Sequence, residues 1–180
     1  MFTTILIGLA IILSIVAVIA AIAAFQPPEF SVVRSTQIAA PASVVFDLVN
    51  DFHQWQAWSP YVRLDPAAKN TFAGSPAGQG AVFTWSGNNK IGEGRMTILD
   101  SHPSDLIRIK LEFTRPFSGT NTAEFTFKSE GGQTTVVWSM FGMKNFISKA
   151  FFLFMNVDKM VGGDFEKGLA NLKAIAETAV

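Results

Sequence analysis

The residue types that most often perform catalysis or bind metal are few in this chain. It contains no cysteine and two histidines: His53, in a predicted short helix, and His102, in a Ser-His-Pro-Ser turn. Neither histidine has a partner at the spacing of a zinc site, and no serine lies in a Gly-x-Ser-x-Gly nucleophile turn. We therefore expect no metal site, no cofactor and no thiol chemistry, and both histidines as ordinary surface residues.

Charged side chains with a chemical use are restricted to a few other positions. Asp158, Asp164 and Glu166 would donate or accept protons if the last helix buried them, but the charged faces of helices are usually solvated. Arg95 would either orient a carboxylate or phosphate of a ligand or simply face water. None of these residues is predicted to be catalytic on the pattern alone.

Glycines recur where a backbone has to bend or approach another element closely. The Gly-x-Gly segments at 78–80 and 92–94 lack the continuation of a phosphate-binding loop, so they indicate strand ends or kinks. Gly162, Gly163 and Gly168 lie inside a predicted helix, where each costs up to about 1 kcal/mol relative to alanine. Two explanations stay open: close packing of the helix on a sheet, and space for a ligand.

The charge balance restricts the partners of the protein. The 180 residues include 14 basic and 14 acidic side chains, and nucleic-acid binders normally need an excess of basic ones. We expect no nucleic-acid partner. The charges are also unevenly distributed, because the first charged residue is Glu29.

The uncharged segment before Glu29 predicts a membrane-spanning helix. Residues 2–25 are apolar on every face, and about 20 such residues cross the hydrocarbon core of a bilayer. Pro27 and Pro28 then end the helix. The alternative is a cleavable signal peptide with a small-residue site at 21–23. It is disfavoured because no lysine or arginine precedes the apolar run, which is also longer than a signal core.

The domain organisation follows from this division. We predict a membrane anchor over residues 1–26, a linker over 27–29 and one ligand-binding domain over 30–180. The protein would be a single-pass membrane protein. Lysine and arginine near the span indicate its orientation, but only Arg34 closely follows it, so the side of the soluble domain stays undetermined.

Hydrophobic periodicity predicts an α+β domain after the anchor. Residues 30–39 alternate as a strand, a helix begins near residue 40, and Asp51 is expected to cap a second short helix through Trp58. From residue 71 the period is two, which indicates an antiparallel meander with one face in water. An amphipathic helix over residues 158–178 would cover the other, aromatic face.

A short apolar segment precedes the last helix. Residues 146–155 are rich in phenylalanine, with Lys144 and Lys149 beside or within the segment, and they are too few to span a membrane. We favour a short helix that covers a cavity. The alternative is a hydrophobic gate that dips into the membrane interface while lysine heads stay at its polar boundary.

Several motifs resemble the SRPBCC (START-like) superfamily, in its polyketide cyclase/dehydrase branch. They are residues 38–47 with Trp55 and Trp58, residues 92–96, residues 136–140, and residues 158–173. The last motif is similar to a narrower group of bacterial proteins with an N-terminal anchor. The resemblance covers residues 30–178. It implies a helix-grip fold: a curved antiparallel sheet wraps around a long C-terminal helix, and two short helices follow the first strand.

The resemblance also implies an apolar cavity between the sheet and the long helix. We expect its lining among inward-facing strand residues and among apolar residues of the short helices and the last helix, although packing in the core is the competing interpretation for each. The predicted lining residues are Trp55, Trp58, Phe83, Trp85, Met96, Phe113, Phe125, Trp138, Met140, Met160 and Phe165.

Three functions follow, because members of the superfamily bind, carry, sense, cyclise or dehydrate. The leading hypothesis is a membrane-anchored binding protein for a hydrophobic small molecule or lipid, which requires an apolar pocket. The second is a polyketide cyclase/dehydratase-like enzyme, which also requires a titratable group with a perturbed pKa in that pocket. The third is a scaffold or co-chaperone-like interaction module, which would combine a filled core with a large exposed apolar patch.

Overall fold

A long apolar helix precedes the folded domain in the computed structural model, which describes residues 2–179. This helix, α1 (Phe2–Phe25), has a mean hydropathy of 3.2 over 18 residues, and that window is not buried in the protein. By length and composition α1 can span a membrane, a test that a signal sequence near the N-terminus also passes. The sequence prediction of one apolar N-terminal helix is confirmed.

The domain is built on a single antiparallel sheet of seven strands. The strands are β1 (Glu29–Ile38), β2 (Lys69–Gly74), β3 (Ala81–Ser86), β4 (Glu93–His102), β5 (Leu106–Arg115), β6 (Gly119–Glu130) and β7 (Gln133–Met143). Their order in the sheet is β1-β7-β6-β5-β4-β3-β2. Strands β2 to β7 form the predicted meander, and β1 closes against β7.

The remaining helices lie before and after the meander. They are α2 (Ala42–Asn50), α3 (Trp55–Trp58), a one-turn 3-10 helix (Pro60–Arg63), α4 (Phe146–Phe152) and α5 (Val157–Thr178). The second short helix, expected after a cap at Asp51 and through Trp58, is confirmed only from Trp55 to Trp58. The Asp51 carboxylate accepts the backbone N–H of His53 at 2.8 Å, which makes a turn, and the helix begins only at Trp55.

The long C-terminal helix grips the concave face of the sheet, as predicted. It buries Phe165, Leu169 and Leu172, and its backbone runs along β1 with α2, α3 and the 3-10 helix on its other side. Alternation along the strands gives the sheet an inner face that is apolar and an outer face that is polar. At one end of the inner face of β3 to β5 the side chains are only half-buried, so this end of the face is partly uncovered.

Candidate functional site

Five of the predicted lining residues form one packed aromatic cluster beneath the middle of α5. The ring of Trp138 stacks on Phe165 with centroids 3.9 Å apart, and it also stacks on Phe125 at 4.8 Å. Trp55 and Trp58 meet the same rings edge-on. All five side chains are buried. The aromatic cluster of Trp55, Trp58, Phe125, Trp138 and Phe165 therefore fills this part of the space between sheet and helix.

The indole N–H groups of the cluster differ in their hydrogen bonding. Trp55 donates to the carbonyl of Val49 at 2.8 Å, and Trp58 donates to the carbonyl of Leu48 at 2.9 Å. These bonds tie α3 to the end of α2. The buried Nε1 of Trp138 has no acceptor among the described residues. An unpaired buried donor costs about 1–3 kcal/mol of stability. The indole N–H of Trp138 is thus a polar group of the core that lacks a hydrogen-bond acceptor among the described residues.

A second set of predicted residues is only half-buried and lies on the inner face of β3 to β5. Phe83 is opposite Met96, which is opposite Leu111; Trp85 is opposite Gly94, which is opposite Phe113. We call the half-buried residues Phe83, Trp85, Leu111 and Phe113 the open end.

The rings of the open end already contact one another. Trp85 meets Phe113 edge-on at 5.7 Å and stacks at 6.1 Å on Phe83. Gly94 permits this arrangement, because a side chain there would collide with the indole ring of Trp85. The indole N–H of Trp85 donates to the carbonyl of Ile91 at 3.0 Å, which fixes the ring against the sheet. The open end is thus an ordered apolar surface that water reaches in part.

The three predicted methionines lie in different environments. Met96 and Met140 are buried on the inner face. Met96 lies directly beside the open end, since it pairs with Phe83 and Leu111. Met160 is on the first turns of α5 and is 47% exposed. A ligand-binding role for the predicted lining residues, in the cluster, at the open end or on α5, stays a prediction.

Two residues of this region were missed by sequence reasoning. Leu111 shares the strand face of Ile109 and Phe113, so the alternation of β5 already carried the signal that it faces inward. Asn121 lies opposite both Leu111 and Gly142 on the same face. Its amide occupies the space that a side chain at Gly142 would need. Asn121 therefore places a polar group within reach of the open end.

The acidic residues of α5 are held at the surface by an arginine from the sheet. Arg34 of β1 contacts Asp158 at 3.0 Å and Glu166 at 2.7 Å. These contacts raise the pKa of Arg34, and the hydrogen bond from Arg34 lowers the pKa of the Asp158 carboxyl. Both acidic side chains are largely exposed. Asp158 and Glu166 are therefore surface partners of Arg34.

The helix glycines have identifiable neighbours at two of three positions. A side chain at Gly162 would collide with the guanidinium of Arg34, and one at Gly168 would lie 2.7 Å from Cζ3 of Trp138. No atom lies within 4 Å of a side chain built at Gly163. Close packing on the sheet thus accounts for Gly162 and Gly168 but not for Gly163.

One buried hydroxyl group lies near the acidic side of α5. Burial is the main cause that raises the pKa of Tyr61, and the charge of Asp164 adds to it. The phenol of Tyr61 therefore ionises less readily than that of a tyrosine in water. Asp164 itself pairs with Lys167 at 3.1 Å on the surface.

Two surface cavities lie outside the space between sheet and α5. One, of about 210 Å³, is lined by residues that include Phe52, His53 and Phe72. His53 stacks on Phe72 at 4.1 Å, and its Nδ1 lies 2.7 Å from Asp51. His53 thus contacts its surface neighbours Phe72 and Asp51. Among the described residues there is no group of three or more His, Cys, Asp or Glu side chains that could hold a metal ion.

The other surface cavity lies on the outer face of β3 to β5. It has a volume of about 390 Å³ and is lined in part by Thr84, Glu93 and Arg95. Arg95 is exposed there. It therefore points away from the space beneath α5, where an apolar ligand is expected.

Comparison with known proteins assigns the family. A family described as polyketide cyclase / dehydrase and lipid transport matches residues 29–177. The chain belongs to this family. The match begins at the first residue of β1 and ends one residue before the end of α5. It therefore covers the whole sheet and nearly all of the long helix that packs on it. No curated protein matches the sequence.

Solved structures confirm the helix-grip fold at low sequence identity. The Aha1 dimer from Colwellia psychrerythraea has a TM-score of 0.57 and 13% identity over 82% of this chain and 96% of that one. The di-domain ARO/CYC BexL of the BE-7585A biosynthetic pathway gives 0.61 and 17%, over 87% and 53%. The major latex-like protein 151 from Panax ginseng gives 0.58 and 12%, over 83% and 99%. At these identities the similarity shows the fold alone.

Proposed function

We propose that the protein is a membrane-anchored binding protein for a hydrophobic small molecule or lipid. The anchor is α1, and the ligand lies on the inner face of the sheet. The ligand site is the open end together with Met96, rather than the space beneath the middle of α5. The family description, which includes lipid transport, supports the class of ligand.

The observation that carries this proposal is the incomplete cover of the inner face. Phe83, Trp85 and Phe113 are aromatic and only half-buried, whereas the rings under α5 are fully enclosed. A bound apolar chain would remove the remaining exposed area from water, at about 25 cal/mol per Å². Asn121, close by on the same face, would give such a ligand one polar contact.

An interaction module is the second candidate, and a specific observation favours it. The aromatic cluster fills the core beneath α5, and large apolar side chains are exposed on α4, as expected for a scaffold. The enzyme is less well supported. Arg34, a charged residue on the inner face of β1, is already paired with Asp158 and Glu166.

The test is a titration of residues 29–180, the matched family unit, with a dansyl-labelled fatty acid. Energy transfer from tryptophan to dansyl reports binding, because all four tryptophans lie in this part. We expect saturable binding with one site. The variant F113A should bind about tenfold more weakly, since loss of the ring forfeits about 1.4 kcal/mol of apolar contact.

The matched control is F141A. Phe141 is 40% exposed on the outer face of β7, opposite Ser31, so its removal should leave the affinity unchanged. Equal effects of F113A and F141A, or no saturable binding by a folded domain, would favour the interaction module instead.

A further inference from the structure

The apolar helix α4 lies at the foot of α1. The backbone carbonyl of Pro28, just after α1, accepts the N–H of Lys144 at 2.6 Å. Helix α4 begins two residues later, at Phe146, and packs against α1. Ala23, in the last turn of α1, is fully buried. Any bilayer that contains α1 therefore has its surface next to α4.

Five of the seven residues of α4 are apolar, and three of its large side chains, Phe146, Ile147 and Phe151, are exposed. Ile147 is 63% exposed and Phe154, just after the helix, is 74% exposed, and α4 has no buried residue. Phe117, from the turn between β5 and β6, joins them through a ring contact with Phe151 at 5.6 Å. We call this surface the foot patch: Phe117, Phe146, Ile147, Phe151 and Phe154.

The charges around the foot patch fit a membrane surface. The α4 region, residues 143–157, contains two charged residues, Lys144 and Lys149, and no acidic side chain. Lysine stems lie along apolar surfaces while their ammonium groups reach polar headgroups. An apolar helix with flanking lysines, beside a spanning helix, has the composition of an interfacial helix.

We propose that the foot patch lies in the interfacial layer of the same bilayer that α1 spans, so that its partner is membrane lipid. This inference rests on the proposed anchoring of α1. It is carried by the continuity of α4 with the anchor and by the exposure of five large apolar side chains there. Phe117 follows β5, the strand that carries Phe113 of the open end. One consequence is that the open end lies near the lipid.

The test uses the natural absence of cysteine in the full chain. Single variants I147C, F154C, S14C and L99C are labelled with an environment-sensitive fluorophore and reconstituted in phosphatidylcholine vesicles. Ser14 lies in the middle of α1, and Leu99 is a 41% exposed apolar control on β4. Lipids spin-labelled at shallow and deep acyl positions then quench the labels according to depth.

We expect the labels at residues 147 and 154 to show blue-shifted emission and several-fold stronger quenching by shallow than by deep spin labels. The label at residue 14 should be quenched by deep spin labels, and the label at residue 99 by neither. If residue 14 is quenched while 147 and 154 behave like 99, the foot patch is not at the membrane although the anchor is. If the label at residue 14 is not quenched, α1 does not span the bilayer. The proposed anchoring is then wrong, whatever the labels at residues 147 and 154 show.

Discussion

Glycine and arginine decide how closely α5 approaches the sheet. Gly168 leaves room for the indole of Trp138, and Gly162 leaves room for the guanidinium of Arg34. Each glycine costs helix stability. That cost is offset by stacking of Trp138 on Phe165 and by the contacts of Arg34 with Asp158 and Glu166. These residues set the separation of the two layers around the site.

The substitution G168A tests this explanation at the scale of one methyl group. The new Cβ would lie 2.7 Å from Trp138 and 3.1 Å from Pro60, and neither ring can move freely in the packed core. We expect the free energy of unfolding to fall by about 1–3 kcal/mol, as for other overpacked cores. Urea unfolding of the chain in detergent, followed by tryptophan fluorescence, measures the change.

The control for this substitution is G163A, in the same helix. No atom lies within 4 Å of a side chain at that position, so alanine should raise helix stability by up to about 1 kcal/mol. Equal destabilisation by both substitutions would mean that helix glycines are needed for some reason other than packing on Trp138.

Single residues also show the limit of sequence reasoning about the site. The alternation of hydrophobic residues predicted that Phe113, Phe125 and Trp138 face inward, and their burial agrees. The pattern could not predict that α5 buries Trp138 while Phe113 is left half-buried. That difference depends on where α5 crosses the sheet, which long-range packing at Gly162 and Gly168 determines.

The elements themselves were largely predictable because their patterns are local. The meander, the short helix α4 and the long helix α5 follow from periodicity, and α5 begins one residue before the expected Asp158. The helix after α2 was placed too early because Asp51 looks like a cap. It instead makes a turn with His53, a choice between two local hydrogen bonds that the sequence pattern does not distinguish.

Two asparagine caps allow the contributions of α4 and α5 to be separated. Asn156 accepts the N–H of Lys159 at 2.9 Å at the start of α5, and Asn145 accepts that of Ser148 at 2.8 Å at the start of α4. We expect N156A to lower the free energy of unfolding by about 1 kcal/mol. N145A should leave it nearly unchanged, because α4 buries no residue.

Urea unfolding of the two variants checks this expectation. A loss with N145A as large as that with N156A would contradict the account of α4 as a peripheral helix. It would show instead that α4 is part of the cooperative core of the domain.

At the scale of the whole molecule, the apolar surfaces adjoin one another. Helix α1 is long and apolar enough to span a membrane, the foot patch lies next to its last turn, and two residues of the open end, Leu111 and Phe113, lie on β5, the strand that the turn with Phe117 follows. The sequence predicted the anchor and the domain as separate parts. It could not predict that α4 packs on α1, because this contact joins residues far apart in the chain.

The central claim, that the domain holds an apolar ligand, is tested most directly by native mass spectrometry of residues 29–180 purified without added lipid. We expect a bound hydrophobic molecule on the folded domain, which denaturation releases. F113A should lower the fraction of domain that carries this molecule, and F141A should not. A folded domain that shows only the mass of the polypeptide, and gains no mass when incubated with a fatty acid, would contradict the claim.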